Sequence, residues 1–91
     1  MNKPDQFKKI ADELTELFTR KNADYGDAIF RLVDEVGFVA IQTHLFEKYL
    51  RISTLLKKEP EVVNESIEDS LRDLANFSII GLMVLENLKK K

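Results

Sequence analysis

The sequence predicts an all-α protein, in which three main helices form an antiparallel bundle that oligomerisation completes. Apolar residues recur at steps of three and four along three long segments, which is the period of an amphipathic helix. Short connections that contain glycine or proline separate these segments. The last segment is apolar on nearly every side, as in a helix surrounded by protein. Since the chain has 91 residues, we expect residues 1–91 to form a single domain.

Composition excludes several classes of protein. The formal charge is −2, so the chain lacks the basic field that holds a duplex nucleic acid. Cysteine is absent, which excludes disulfides and thiolate metal sites. The charged N-terminus is unlike a signal peptide, and the longest uncharged stretch, Leu74–Leu85, is shorter than the ~20 residues that span a bilayer. We therefore expect a cytoplasmic protein with no membrane segment.

The first helix is predicted from Pro4 to about Asn22. A stop follows it, because Gly26 can adopt the left-handed conformation that closes a helix or turn. One apolar stripe marks the face that we assign to the core: Phe7, Ile10, Ala11, Leu14, Leu17 and Phe18.

The second helical region is predicted from about Ala28 to Lys58, where Pro60 disfavours its continuation. Gly37 lies inside it, and two outcomes stay open: a kink, or a division into a short helix and a long one. Lys48 falls in the middle of the apolar stripe of this region. The stripe consists of Phe38, Ile41, Leu45, Ile52, Leu55 and Leu56.

The third helix is predicted from Asn64 or Ser66 to Leu88. Its C-terminal half leaves no polar face that could meet water, and one short chain can hardly cover it. This predicts a homo-oligomer, a dimer or larger.

Acidic residues at intervals of four residues place several carboxylates on one face of the third helix. Glu65, Asp69 and Asp73, together with Asn76, project within an arc of about 80°. Glu65 and Asp69 each have a structural alternative, in helix capping or in the helix dipole. Asp73 has neither, because it lies beyond the first turn and no basic residue stands one turn away on its own helix.

Lys48 also lacks an oppositely charged partner, since no acidic residue stands one turn away on its own helix. Burying an unpaired charge is costly. We therefore expect Lys48 to meet Asp73 across the interface of the second and third helices. The acids and bases around them are compatible with a structural ion network and equally with a Mg²⁺ and phosphate site. They are Glu47, Lys48, Arg51, Glu65, Asp69 and Asp73.

Three motifs resemble a phage-associated nucleotide-modification-associated domain family. They are KNADYGDA (Lys21–Ala28), FEKYLRISTLL (Phe46–Leu56) and NESIEDSLRDLANFSIIGLMVL (Asn64–Leu85). The family typically shows K-x-x-D-Y-G, D/E-K-x-x-R-l and E-S-x-E-D-T-L-x-D-L-A-N-Y. In this chain Ser70 replaces the usual threonine and Phe77 replaces the usual tyrosine.

The arrangement is similar, more distantly, to all-α nucleoside triphosphate pyrophosphohydrolases of the MazG type, which bind Mg²⁺ that bridges the substrate phosphates. This similarity implies Mg²⁺ as a cofactor and Glu47, Glu65, Asp69 and Asp73 as its ligands. The chain departs from those enzymes because it lacks E-E-x-x-E and spaces the later acids by four residues. Candidate contacts to a nucleotide are Lys21, Asp24, Tyr25, Lys48, Arg51 and Asn76.

Two residues have competing interpretations. The Tyr25 ring could hold a nucleobase, or it could fill a plain turn. His44, the sole histidine, has no nucleophile beside it and is expected to have a structural or surface role.

Two hypotheses about function follow. In the first, the protein binds a nucleotide or its phosphates with Mg²⁺; if turnover occurs, Lys48 and Arg51 stabilise the developing charge. In the second, the protein is a non-enzymatic interaction module whose ion network fixes the helix register.

Overall fold

The computed structural model describes residues 2–25, 27–57 and 60–90, and the side chains of these residues except Tyr25 and 60–66. These residues form four helices: α1 (Lys3–Tyr25), α2 (Ala28–Val36), α3 (Val39–Leu55) and α4 (Pro60–Lys89). The predicted all-α class is confirmed, and no strand occurs in the described part of the chain. Helix α4 begins at Pro60, earlier than the predicted start at Asn64 or Ser66.

Gly37 divides the second helical region into two helices, which settles the question that the sequence left open. Its backbone has φ 87° and ψ −172°, a region that essentially only glycine occupies. The Gly37 N–H donates to the Val33 carbonyl at 2.8 Å and so closes α2. Helix α3 then starts in a new direction, because a residue with this ψ cannot continue a helix.

The core lies between α3 and α4, where Ile41 packs against Ile80 and Val84. Gly81 lets these two helices approach closely, since a Cβ atom there would lie 3.3 Å from Ile41 Cγ2. Half-buried side chains from all four helices surround this centre: Phe18, Ile29, Phe30, Val33, Leu45 and Phe77.

The predicted core assignment of the α1 stripe is wrong at its N-terminal end. Phe7 and Ile10 are 77% and 47% exposed, whereas Leu14 is buried and Phe18 is half-buried. Full burial on α1 therefore begins at Leu14, about three turns into the helix. Leu56, at the end of the second stripe, is also exposed, since α3 ends one residue before it.

The C-terminal half of α4 is only partly covered by the single chain. Ile80 and Val84 are buried, but Ile79, Leu82 and Leu85 are exposed. The oligomer that would cover them stays a prediction. Over the residues that the structure describes, no helix combines the length and apolar content needed to span a bilayer.

Candidate functional site

Asp73 forms ion pairs with two lysines from two different helices. Its Oδ2 atom lies 3.0 Å from Lys48 Nζ on α3, and its Oδ1 atom lies 3.3 Å from Lys21 Nζ on α1. The predicted meeting of Lys48 and Asp73 is therefore confirmed. Lys21 was predicted as a nucleotide contact from its motif, but its bond to Asp73 was not foreseen.

Helix packing explains why these three charges meet. Lys48 lies in the apolar stripe of α3 and keeps only 29% of its side chain exposed, while Asp73 keeps 22%. Partly desolvated charges of opposite sign attract each other more strongly than fully exposed ones do, because water screens them less. Lys21 is 52% exposed and reaches Asp73 from the C-terminal part of α1.

A cavity of about 490 Å³ opens beside this ion pair. Its volume lies within the range of typical small-ligand pockets. Polar and charged side chains contributed by α1, α3 and α4 line part of it, and apolar side chains line the rest. The lining residues are Phe18, Lys21, Asn22, Ala28, Ile29, Leu32, His44, Glu47, Lys48, Asp73, Asn76, Phe77 and Ile80.

His44 and Phe77 form one wall of the cavity. Their rings are stacked, with centroids 4.5 Å apart and planes 5° from parallel. His44 Nδ1 lies 3.4 Å from Glu47 Oε1, so Glu47 contacts the histidine one turn before it. A structural or surface role was expected for His44 from the sequence, and its place in the lining of the cavity was not predicted. The available signal was its spacing of four residues from Lys48, which puts both on one face of α3.

Two asparagines line the cavity. Asn76 comes from α4 and Asn22 from α1; the predicted contact of Asn76 with a nucleotide stays a prediction. The Asn22 side chain donates a hydrogen bond to Asp27 Oδ1 at 2.6 Å, which links α1 to the start of α2. Asp27 itself has φ 63°, a left-handed conformation that aspartate tolerates better than most residues.

Asp69 lies outside this constellation, although it was predicted to share an inward face with Asp73. Its side chain is 70% exposed and lies 3.6 Å from Arg72. The buried face of α4 is centred near Phe77, and at 100° per residue Asp73 stands about 40° from Phe77 and Asp69 about 80°. The predicted arc was therefore too wide for both acids to be buried.

Other predicted residues also lie apart from the cavity or outside the described side chains. Arg51 and Asp24 are exposed and do not line it. The side chains of Tyr25 and Glu65 lie outside the described residues, so their predicted roles stay predictions.

Two carboxylates, those of Glu47 and Asp73, line the cavity. Mg²⁺ commonly binds through one or two carboxylates while substrate phosphates and water supply the other ligands. Within the described part of the chain, no group of three or more acidic or histidine side chains could hold a metal ion. These residues thus fit Mg²⁺ that arrives with a phosphate ligand, and Mg²⁺ binding stays a prediction.

Comparison with known proteins identifies the family. No curated protein and no solved structure matches the chain significantly. A family model described as nucleotide modification associated domain 1 matches residues 21–85. The matched segment contains every lining residue of the cavity except Phe18. The chain belongs to the nucleotide modification associated domain 1 family.

Proposed function

We propose that the protein binds a nucleotide in the cavity beside Asp73. The observation that carries this proposal is that Lys21, Lys48, Glu47 and Asp73 all line one partly apolar cavity, in which Asp73 contacts both lysines. Pockets that combine apolar walls with a few convergent polar groups are typical of small-ligand sites. Membership of a nucleotide-modification-associated family supports a nucleotide as the ligand.

From the chemistry of the lining residues, we propose a position for each part of the ligand. Lys21 and Lys48 are ammonium donors that can bind phosphate oxygens. Glu47 and Asp73 would hold Mg²⁺ against the same phosphates. The stacked pair of His44 and Phe77 and the side-chain amide of Asn76 line the cavity, where they would contact a base.

Hydrolysis of a phosphoanhydride, as in MazG-like pyrophosphohydrolases, is the reaction that we propose to test first at this site. Mg²⁺ would supply an activated water, while Lys48 would stabilise negative charge on the phosphates. Arg51 is not part of this proposal because it does not line the cavity. The setting that we propose, from the family resemblance, is phage nucleotide modification in the cytoplasm.

Isothermal titration calorimetry with nucleoside mono-, di- and triphosphates, each with and without Mg²⁺, tests the binding. We expect saturable binding to at least one nucleotide and at least about tenfold weaker binding by Lys48→Met. Arg51→Met is the matched control, because it removes a cation from the same helix outside the cavity. Absence of binding across the panel would overturn the proposal, and so would equal losses in both variants.

The same nucleotides, incubated with Mg²⁺ and assayed for pyrophosphate and phosphate, test the reaction. Release that Lys48→Met abolishes and Arg51→Met retains supports hydrolysis at this site. Binding without release contradicts hydrolysis and leaves a nucleotide-binding protein.

A second candidate function is an interaction module in which the ion network has a structural role. The pairing of Asp73 with two lysines favours it, because such a cluster can fix the register of helices. Under this alternative, Asp73→Asn lowers the free energy of unfolding and no nucleotide raises the melting temperature of the wild-type protein. A nucleotide-dependent rise in melting temperature excludes the purely structural role.

A further inference from the structure

We propose that a second copy of this chain packs antiparallel against the outer stripe of α4. This stripe is defined by five residues on the side of α4 that faces away from the core: Leu71, Ala75, Ser78, Leu82 and Leu85. The sequence predicted an oligomer but did not indicate which surface forms the interface. The structure points to the outer stripe of α4.

The chain exposes more surface than a compact monomer of its mass. Its accessible surface is 7290 Å², whereas a folded monomer of 10.5 kDa is expected to expose about 5,400 Å². The radius of gyration is 14.9 Å, against about 12 Å for a compact domain of this length. The excess, about 1,900 Å², is as large as the share that one subunit contributes to an obligate homodimer interface.

The outer stripe has the spacing of a helix-packing seam. Its members follow one another at steps of four, three, four and three residues, the pattern of apolar positions in paired helices. Leu71, Leu82 and Leu85 are 52%, 66% and 44% exposed. The stripe lies about 120° around α4 from the buried face, so a second helix can pack there without displacing α3.

The size of the central residues favours close contact between two helices. Ala75 and Ser78 stand between the larger Leu71 and Leu82. Small side chains at the centre of a seam allow two helix backbones to approach, while leucines fill the space on either side. The stripe is therefore complementary to a second copy of itself.

Charge at the two ends of α4 sets the direction of the partner. Glu68 and Asp69 precede the stripe, and Lys89 and Lys90 follow it. The side chains of these four residues are exposed. Glu68 and Asp69 both contact Arg72, and Lys90 contacts Glu86, so the two ends keep net charges of −1 and +1. An antiparallel partner brings the acidic end of one α4 towards the basic end of the other, whereas a parallel partner would bring like charges together.

Sedimentation velocity of the wild-type protein and of Leu82→Glu tests the surface. We expect a dimer for the wild type and a monomer for Leu82→Glu, because the charge would be buried in the seam. Phe46→Glu is the matched control, since Phe46 is 58% exposed on the outer side of α3. Circular dichroism of each variant verifies that the helices are retained.

A monomeric wild type would overturn the proposal. A dimer that Phe46→Glu dissociates and Leu82→Glu does not would also overturn it, because the interface would then lie on α3. Should Leu82→Glu unfold, Ser78→Glu is the second variant, and it replaces a smaller exposed side chain at the centre of the same stripe.

Disulfide cross-linking tests the relative direction of the two α4 helices. Because the sequence contains no cysteine, an introduced cysteine is the only thiol that can form a disulfide. The stripe is centred on Ser78, so an antiparallel pair brings the two copies of Ser78 together and holds the two copies of Leu71 about 20 Å apart along the axis. We expect Ser78→Cys to form a covalent dimer on oxidation and Leu71→Cys to remain uncross-linked. Cross-linking of Leu71→Cys would contradict the antiparallel arrangement.

Discussion

Asp73 Oδ2 lies 3.0 Å from Lys48 Nζ, across the contact between α4 and α3, and Asp73 Oδ1 lies 3.3 Å from Lys21 Nζ on α1. One carboxylate thus links three helices and adjoins the cavity. The two lysines differ in exposure, 29% for Lys48 and 52% for Lys21. Lys48 should therefore contribute more to stability than Lys21, since water screens the more exposed charge more strongly.

Asp73→Asn should lower the free energy of unfolding by about 1 to 2 kcal/mol, because it leaves two ammonium groups without the carboxylate that both contact. Chemical denaturation, measured at one fixed protein concentration, gives this value. The control is Glu68→Gln, which removes an exposed carboxylate 3.6 Å from Arg72 and should cost less than about 0.5 kcal/mol. Equal losses in the two variants would contradict the special role of Asp73.

Lys48→Met should destabilise the protein more than Lys21→Met does. Each variant leaves Asp73 with one remaining lysine, but Lys48 is closer to Asp73 and more buried. We expect a difference of about 0.5 to 1 kcal/mol between the two variants in the same denaturation experiment. The reverse order would mean that α1, and not α3, supplies the dominant partner of Asp73.

Gly37→Ala should destabilise the protein by about 1 to 3 kcal/mol through backbone strain alone. No heavy atom outside the adjacent residues lies within 4 Å of the position that the new Cβ would occupy, so a steric clash does not contribute. Gln42→Ala, at an exposed position of α3, is the control and should change stability by less than about 0.5 kcal/mol. A neutral Gly37→Ala would show that the break between α2 and α3 does not need its positive φ.

Gly81→Leu should destabilise the protein by about 1 to 3 kcal/mol, because it overpacks the contact between α3 and α4. Even a Cβ atom there would stand 3.3 Å from Ile41 Cγ2 and 3.5 Å from Phe38 Cζ. Asn87→Leu, exposed on the same helix, controls for the change in helix propensity. Thermal unfolding followed by circular dichroism distinguishes them, and similar melting temperatures would argue against tight packing at Gly81.

Local patterns were sufficient to predict most of the fold. Periodicity predicted the helices, and Gly37 marked the place where the second region divides. The exposure of Phe7 and Ile10 could not be predicted, because an apolar stripe shows which face of a helix is suited to burial but not how far its neighbours extend. How far the neighbouring helices extend along α1 depends on tertiary packing.

Part of the site was predictable from charge balance. Lys48 and Asp73 each lack an oppositely charged neighbour one turn away on their own helix. Because burying an unpaired charge is costly, their contact could be predicted. The contact of Lys21 with Asp73 spans 52 residues in sequence and depends on how α1 packs, which no local pattern encodes. The apolar walls that α2 contributes were not predicted for the same reason, since nothing in the local sequence distinguishes Ile29 and Leu32 from other apolar residues.

Helix α2 supplies Ala28, Ile29 and Leu32 to the cavity, yet none of its nine residues, all of them described, is fully buried. The buried centre of the core belongs to α3 and α4, whereas α2 contributes only half-buried side chains to it, so local opening of α2 should require less free energy than that of α3 or α4. Its backbone amides should therefore exchange with deuterium faster than those around Ile41 and Ile80. One side of the cavity would then widen by fraying of a short helix, while the lysine–carboxylate cluster on the longer helices kept its geometry.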